Sequence, residues 1–190
     1  MNTKIKNLIF ILILGSISTS SLIGMRNYTL PKIERYHELK LKETILEAAG
    51  VEYEKLNLED KFDRVMRKVE KDGLTYYISP DKLYVFIFEG RGLWGMITGA
   101  ISLRADLKTI ESLKIISQEE TPGLGGRIAE QGFLDQFKKK EVSPRLSLVL
   151  RVKATNANEI DSITGASMTS EALIDMINES VINFRDIIAR

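Results

Sequence analysis

The sequence predicts an α+β protein, in which helices pack against one antiparallel sheet and a single membrane-crossing helix precedes them. Three observations support this prediction: an uncharged apolar run near the N-terminus, several strand-like runs in the middle, and a long amphipathic pattern at the end. With 190 residues, 44% of them hydrophobic, the chain can form one compact core after the N-terminal segment. Two large domains are not expected.

The first predicted element is a membrane anchor over residues 1–26. Between Lys6 and Arg26 lie 19 uncharged residues, which as a helix would reach roughly 28 Å, close to the thickness of the hydrocarbon core of a bilayer. Lys4 and Lys6 favour an N-terminus in the cytoplasm, so the rest of the chain is expected outside it. A cleaved signal peptide is the alternative, because the most apolar part is short and small residues follow it. A buried helix is disfavoured, because the run is apolar on every face.

A stalk helix and its connection are expected over residues 27–58, with Gly50 as a C-cap, and a single domain over residues 59–190. Apolar residues at helical spacing predict a second helix, namely Phe62, Val65, Met66 and Val69.

The middle of the chain predicts the antiparallel sheet. Four β-rich runs, LTYYIS, KLYVFIFEG, GMITGAISL and TIESLKIISQEE, are separated by turn signals. A short helix is expected in EQGFLDQFKKK, with Phe133, Leu134 and Phe137 inward, and a further strand in RLSLVLRV. From about Ser170 an amphipathic helix is predicted, with its apolar face formed by Leu173, Ile177, Val181, Phe184 and Ile188.

Composition excludes several classes of site. The net charge is +1, and the 27 basic residues are scattered among 26 acidic ones, so nucleic-acid binding is not expected. The absence of cysteine excludes disulfides, thiolate catalysis and Cys-ligated metals. His37 is the only histidine, so neither a Ser/His/Asp triad nor a His-cluster metal site can form. No catalytic residue or metal ligand is expected, and redox chemistry would require an organic cofactor.

The stretch DSITGASMTS places a glycine and several hydroxyls where the last helix begins. The first N–H groups of a helix lack partners and carry partial positive charge, so an anion is stabilised there. Gly165 and Ala166 leave room for such an anion. The hydroxyl donors around them are Thr164, Ser167, Thr169 and Ser170. A Ser or Thr N-cap after a glycine turn is the alternative, and the residue types alone favour it.

The order of these residues resembles the attachment signal of proteins to which a flavin transferase links FMN. That signal has an acidic residue, two variable residues, Ser or Thr, Gly, Ala, Ser or Thr, one variable residue, and the acceptor Ser or Thr. Asp161 takes the acidic position and Thr169 the acceptor position. The constrained positions between them are filled by Thr164, Gly165, Ala166 and Ser167. The resemblance implies a phosphoester between the Thr169 side-chain oxygen and the FMN phosphate.

A second motif, EETPGLGGR, resembles the flavin-contacting loop of the covalent-FMN subunits of sodium-pumping NADH:quinone reductase and of the Rnf ferredoxin:NAD oxidoreductase. The motifs GRGLWG, ETPGLGG and TGASMT occur in the order of that family. The resemblance implies flavin contacts from Glu120, Thr121, Gly123, Leu124 and Gly125. An ordinary surface turn is the alternative for this motif alone.

The physical expectation for this loop is that Gly123, Gly125 and Gly126 permit positive φ and a close approach of the main chain to a planar ring. Glu120 would either order the loop or lie near the flavin, and Arg127 could offset phosphate charge.

The only tryptophan, Trp94, lies in GRGLWG, and two interpretations of it remain open. In the first interpretation it is a buried core aromatic. In the second it has a functional role, either as a wall of the flavin pocket or as a surface for a membrane partner. The Leu-Trp pair resembles the quinone-reductase branch, but the chain is shorter than that branch leads one to expect, so the sequence does not decide between the two complexes.

The resemblance implies an electron-transfer subunit that carries covalent FMN in an ion-translocating NADH:quinone or ferredoxin:NAD oxidoreductase, with little activity alone. Integral membrane subunits would be its partners, and a flavin transferase would mature it. We expect it in the bacterial inner (cytoplasmic) membrane, single-pass, with an extracytoplasmic FMN-binding domain. The alternative is an exported, anchored flavin carrier or ligand-binding module outside any ion pump.

Overall fold

The computed structural model describes residues 3–189, which divide into two compact units at Lys40/Leu41. The first unit lies within helix α1 (Thr3–Ala48), which continues through Pro31 without a break. Its apolar window has a mean hydropathy of 2.1 and no buried residue, so length and composition allow it to cross a membrane. A signal sequence would meet the same two criteria.

The second unit begins with the last turns of α1, where Ile45, Leu46 and Ala48 are buried. Gly50 follows with a φ of 67°, which confirms the predicted C-cap. Helix α2 (Leu58–Val65) is one turn shorter than the apolar spacing predicted. That prediction was wrong for Val69, which lies in strand β1.

Five strands form one antiparallel sheet in sequence order. They are β1 (Arg67–Lys71), β2 (Leu74–Ile78), β3 (Tyr84–Arg91), β4 (Met96–Leu103) and β5 (Ile110–Gln118). The four β-rich runs were therefore predicted correctly, whereas β1 was missed. All five residues of β1 pair with β2, and this pairing overrides the helical spacing of the apolar residues around Val69.

The sheet is covered on both faces. Helix α4 (Ser167–Ala189) packs on one face, where Phe184 stacks on Phe86 with ring centroids 4.3 Å apart. On the other face, Phe62 of α2 meets Tyr77 edge-on at 5.4 Å. The predicted apolar face of α4 is confirmed, because all five of its residues belong to the core or pack against it.

A 3₁₀ turn (Lys55–Asn57) precedes α2, and the other elements connect β5 to α4. A 3₁₀ turn (Gly125–Ala129), helix α3 (Gln131–Leu134) and a second 3₁₀ turn (Asp135–Phe137) come first, and they bury the three apolar residues predicted to face inward. Strands β6 (Ser147–Val149) and β7 (Glu159–Asp161) then pair in parallel. Strand β7 was not predicted, because three residues are too few to show an alternating pattern.

Candidate functional site

Three segments that are distant in sequence meet at the start of α4. They are the turn between β3 and β4 (residues 92–95), the loop after β5 (residues 119–126), and the approach to α4 (residues 161–170). The first turn is closed by the Gly92 N–H, which donates to the Gly95 carbonyl at 2.8 Å. Each segment contains most or all of one of the three sequence motifs. One side chain connects all three segments.

That side chain is Glu120, of which only 4% is exposed. Its Oε1 accepts hydrogen bonds from the Trp94 N–H at 2.9 Å and from the Gly95 N–H at 3.5 Å. Its Oε2 accepts one from the Thr169 hydroxyl at 2.8 Å. Glu120 was expected to order its own loop or to lie near the flavin, whereas in the structure its carboxylate holds the turn of residues 92–95.

The carboxyl of Glu120 is held in its ionised form. Burial by itself would raise its pKa, because a charged group is less well solvated there. The hydrogen bonds from Trp94, Thr169 and Gly95 outweigh burial, and they hold the pKa of Glu120 below its ordinary value. At neutral pH the site therefore contains a buried carboxylate.

The loop after β5 folds back on itself. The Thr121 carbonyl accepts hydrogen bonds from the N–H groups of Leu124 at 3.1 Å and Gly126 at 3.0 Å. The expectation of positive φ is confirmed only for Gly123, at 75°. It was wrong for Gly125 and Gly126, because both begin a 3₁₀ turn with ordinary helical backbone.

Close packing, not backbone conformation, requires glycine at position 125. A Cβ there would lie 2.6 Å from Glu120 Oε2 and 2.7 Å from Thr169 Oγ1. Both distances are shorter than any ordinary contact to carbon. Gly125 thus provides the space in which the Glu120 and Thr169 side chains meet.

The approach to α4 is a tight turn with Gly165 at its apex, at a φ of 83°. Ser170 stabilises this turn, since its hydroxyl donates to the Ala166 carbonyl at 3.0 Å and accepts from the Ile163 N–H at 3.3 Å. Ser170 was predicted as an anion donor, but its hydroxyl serves the main chain instead. Ser170 is not an N-cap either, because it lies within α4 and its hydroxyl bonds Ile163 and Ala166, which precede the helix.

Thr169 is the third residue of α4 and is 1% exposed, with its hydroxyl directed at Glu120. Asp161, at the acidic position of the motif, accepts from the Ala154 N–H at 2.5 Å and fixes the loop before β7. Asp161 therefore contributes through the local fold and does not line the cavity described next.

A cavity of about 270 Å³ opens beside Thr169. Nine of the eleven predicted site residues line it, namely Trp94, Glu120, Thr121, Leu124, Gly125, Gly165, Ala166, Ser167 and Thr169. The other two, Thr164 and Gly123, do not. Thr164 and Arg127 line a neighbouring cavity instead.

Two lining residues, Leu93 and Met168, were missed. Both occupy variable positions of the motifs, and only their place beside Trp94 and Thr169 could have indicated them. Trp94 is 71% exposed, so the interpretation of Trp94 as a buried core aromatic was wrong. An exposed apolar rim around the cavity is formed by four side chains, namely Leu93, Trp94, Leu124 and Met168.

A larger cavity of about 580 Å³ lies between β2, β3 and the middle of α4. It contains none of the motif residues. Chemistry, not size, favours the smaller cavity, because a hydroxyl, an ionised carboxylate and a helix N-terminus meet there.

Comparison with known proteins gives this site a family. Residues 92–181, which include all three segments, match the family described as FMN-binding domain. The matched residues include every residue that lines the cavity beside Thr169. The resemblance inferred from the motifs is confirmed.

The relatives that this chain resembles are subunits of redox complexes. The G subunit of a proton-translocating ferredoxin:NAD(+) oxidoreductase complex from Clostridium ljungdahlii is 32% identical, over 66% of this chain and 65% of that protein. The C subunit of a Na(+)-translocating NADH-quinone reductase from Pasteurella multocida is 37% identical, over 47% of this chain and 36% of that protein. The G subunit of an ion-translocating oxidoreductase complex from Methanosarcina acetivorans is 32% identical, over 60% and 62%. The chain thus matches about one third to two thirds of the length of these relatives.

Solved structures confirm the fold. NqrC from Shewanella oneidensis superposes with a TM-score of 0.66 at 20% identity, over 73% of this chain and 88% of that one. The C subunit of the Na(+)-translocating NADH-quinone reductase from Parabacteroides distasonis superposes with a TM-score of 0.66 at 24% identity, over 80% of this chain and 93% of that one.

The residues of the site fit FMN. The start of α4 offers unpaired N–H groups and partial positive charge to a phosphate, and the Gly165 turn keeps bulk away from it. The exposed apolar rim offers a surface for a planar aromatic ring.

Proposed function

We propose that this chain is a membrane-anchored electron-transfer subunit that carries FMN as a phosphoester on Thr169. One observation supports this most directly: the Thr169 hydroxyl lies at the wall of the cavity in the first turn of α4, opposite the loop after β5. The attachment motif and the flavin-contacting motif are therefore in contact. When bound, FMN would supply the electron chemistry by accepting and releasing electrons.

The chain itself would bind and shield the cofactor. The first amides of α4 would stabilise the charge that remains on the phosphate after ester formation. Trp94, Leu124 and Met168 would pack against the ring and exclude water from part of it. Glu120 would keep the 92–95 turn in place, and with it the position of Trp94.

Helix α1 would anchor this domain to the bacterial inner membrane. Its apolar window is long enough to cross the bilayer, and Lys4 and Lys6 precede it. In this orientation the FMN-binding domain would lie outside the cytoplasm. Maturation would then require an exported flavin transferase.

The partners would be integral membrane subunits of an ion-translocating oxidoreductase of the NADH-quinone or ferredoxin:NAD type. The names of the relatives support this assignment, since each is a subunit of such a complex. The subunit alone would have little activity. A second candidate is an exported flavin carrier outside any ion pump. It is compatible with the comparisons, because the chain matches only part of the length of these complex subunits.

The decisive experiment is co-expression of the full chain with an exported flavin transferase, followed by intact mass and peptide mapping. We expect one added FMN, less one water, on the peptide that contains Thr169. Thr169→Ala should remove the addition and Thr169→Ser should retain it. Ser180→Ala, which removes a hydroxyl of α4 outside the three segments of the site, is the matched control. An unmodified Thr169, or FMN on another residue, would contradict the proposal. Co-purification of integral membrane subunits separates the complex from the free carrier.

A further inference from the structure

We propose that Glu120 is the base that accepts the Thr169 proton when the phosphoester forms, and that it thereby selects Thr169 among the nearby hydroxyls. This inference rests on the proposed function of Thr169. Its basis is the 2.8 Å hydrogen bond from Thr169 Oγ1 to Glu120 Oε2, buried between α4 and the loop after β5.

A threonine hydroxyl is a weak nucleophile, and proteins activate it with an adjacent base within hydrogen-bond distance. Glu120 meets this requirement. Its other oxygen is fixed by the Trp94 and Gly95 amides, so that Oε2 remains directed at Thr169. Among the described residues that line the cavity, Glu120 is the only ionisable one.

The nearby hydroxyls lack such a base. The Ser170 hydroxyl is held by the main chain of Ala166 and Ile163. Ser167 accepts a hydrogen bond from the Ser162 hydroxyl at 3.1 Å, and Thr164 lines a different cavity. The contact with Glu120 is thus a property of Thr169 that its neighbours do not share.

The chemical balance defines the co-reactant. Ester formation from FMN alone would have to expel water, so the donor must carry the FMN phosphate in an activated form, as in a flavin dinucleotide with its pyrophosphate bond. Thr169 Oγ1 attacks the FMN phosphorus, the new O–P bond forms, and the P–O bond to the nucleoside monophosphate breaks. The Thr169 proton passes to Glu120 Oε2, and nothing is oxidised or reduced.

This proton transfer also resolves an electrostatic conflict. A buried carboxylate beside a phosphodiester would place two negative charges a few ångströms apart, which favours the neutral form of one of them. After transfer Glu120 is a neutral acid. It can then donate the same proton to the ester or phosphate oxygen, which restores a hydrogen bond across the site.

The test measures the rate at which the full chain in detergent gains FMN from flavin adenine dinucleotide and an excess of transferase, by intact mass. Glu120→Gln keeps the side-chain shape and an acceptor for Trp94 but cannot take the proton. We expect it to slow the reaction by a factor of ~10² to 10⁴, the usual contribution of a general base. Glu52→Gln is the matched control, because Glu52 is an exposed carboxylate outside the three segments of the site. It should react at the wild-type rate.

A second variant separates proton acceptance from loop support. Glu120→Ala opens space beside the cavity, and added formate should restore part of its rate if a carboxylate is what the reaction needs. Circular dichroism tests whether each variant is folded. If Glu120→Gln does not fold, the formate experiment on Glu120→Ala decides alone. A wild-type rate for Glu120→Gln, or a slow Glu120→Ala that formate does not accelerate, would overturn the inference. Failure of the wild-type chain to gain FMN on Thr169 would instead refute the proposed function.

Discussion

The hydroxyl of Thr169 donates to the carboxylate of Glu120 at 2.8 Å, across 49 residues of sequence. This bond joins the two motifs of the FMN-binding domain and fixes the distance between the loop after β5 and the start of α4. Because both groups are buried, losing either partner leaves the other without its hydrogen bond.

Removal of the Thr169 hydroxyl should destabilise the unloaded domain. Thr169→Val keeps the shape of the side chain but leaves the Glu120 carboxylate with one donor fewer, at a cost of about 1–3 kcal/mol in the free energy of unfolding. Thr169→Ser retains the hydroxyl and should cost less. Urea denaturation of the full chain in detergent, followed by circular dichroism, measures both. Equal stabilities of the two variants would show that the hydrogen bond contributes nothing.

The stability contributed by Glu120 should depend on pH in one direction. Its pKa is lowered in the folded domain, so its charged form stabilises the fold at neutral pH. This contribution should be lost as the pH falls through the lowered pKa of Glu120. We expect the difference in unfolding free energy between wild type and Glu120→Gln to be constant near neutral pH and to shrink in acid. A difference that grows in acid would contradict the lowered pKa of Glu120 and indicate a raised one.

Substitution at Gly125 should disrupt the site more than the fold. In Gly125→Ala the new Cβ would meet Glu120 and Thr169, so those side chains must separate. Incorporation of FMN should fall sharply, while circular dichroism stays close to that of the wild type. Gly132→Ala is the matched control, because a Cβ at Gly132 meets no atom within 4 Å. Normal FMN incorporation in Gly125→Ala would mean that the close contact is not needed for attachment.

The single tryptophan provides a reporter of cofactor position. Trp94 lines the cavity and is largely exposed, so its fluorescence in the unloaded chain should resemble that of a solvated indole. A flavin packed against it should quench that fluorescence strongly. The measurement compares the loaded wild type with Thr169→Ala at equal concentration. Equal tryptophan emission in both would place the ring away from Trp94.

The topology of the anchor can be tested independently of the cofactor. Reporter fusions after Gly50 should be active only with a reporter that works outside the cytoplasm, because Lys4 and Lys6 favour a cytoplasmic N-terminus. A fusion in which both lysines are replaced by glutamate serves as the comparison and should weaken this preference. Activity of a cytoplasmic reporter in the unaltered chain would reverse the proposed orientation.

Much of the site could be predicted from the sequence, because its parts are local. The hydroxyls and Gly165 of the attachment motif lie close together in the chain. Their order resembles the flavin-attachment signal, and this resemblance implies Thr169 as the acceptor. Local sequence signals were insufficient where contacts with another segment of the chain determine the structure. Val69 has helical spacing but pairs in a sheet. For Trp94 the sequence left a core position and a pocket wall open, and only the structure places it at the rim.

The sequence by itself determined the apolar length of α1, the four β-rich runs, the amphipathic face of α4 and the motif that ends at Thr169. Each of these depends on periodicity or spacing over a few residues, which the chain carries wherever it folds. Only the tertiary structure decided that Glu120 is buried and ionised, and that its carboxylate faces Thr169. Only packing also decided that Gly125 is needed for space. These properties depend on contacts between segments far apart in the chain, and their distances are set by how the sheet and α4 pack together.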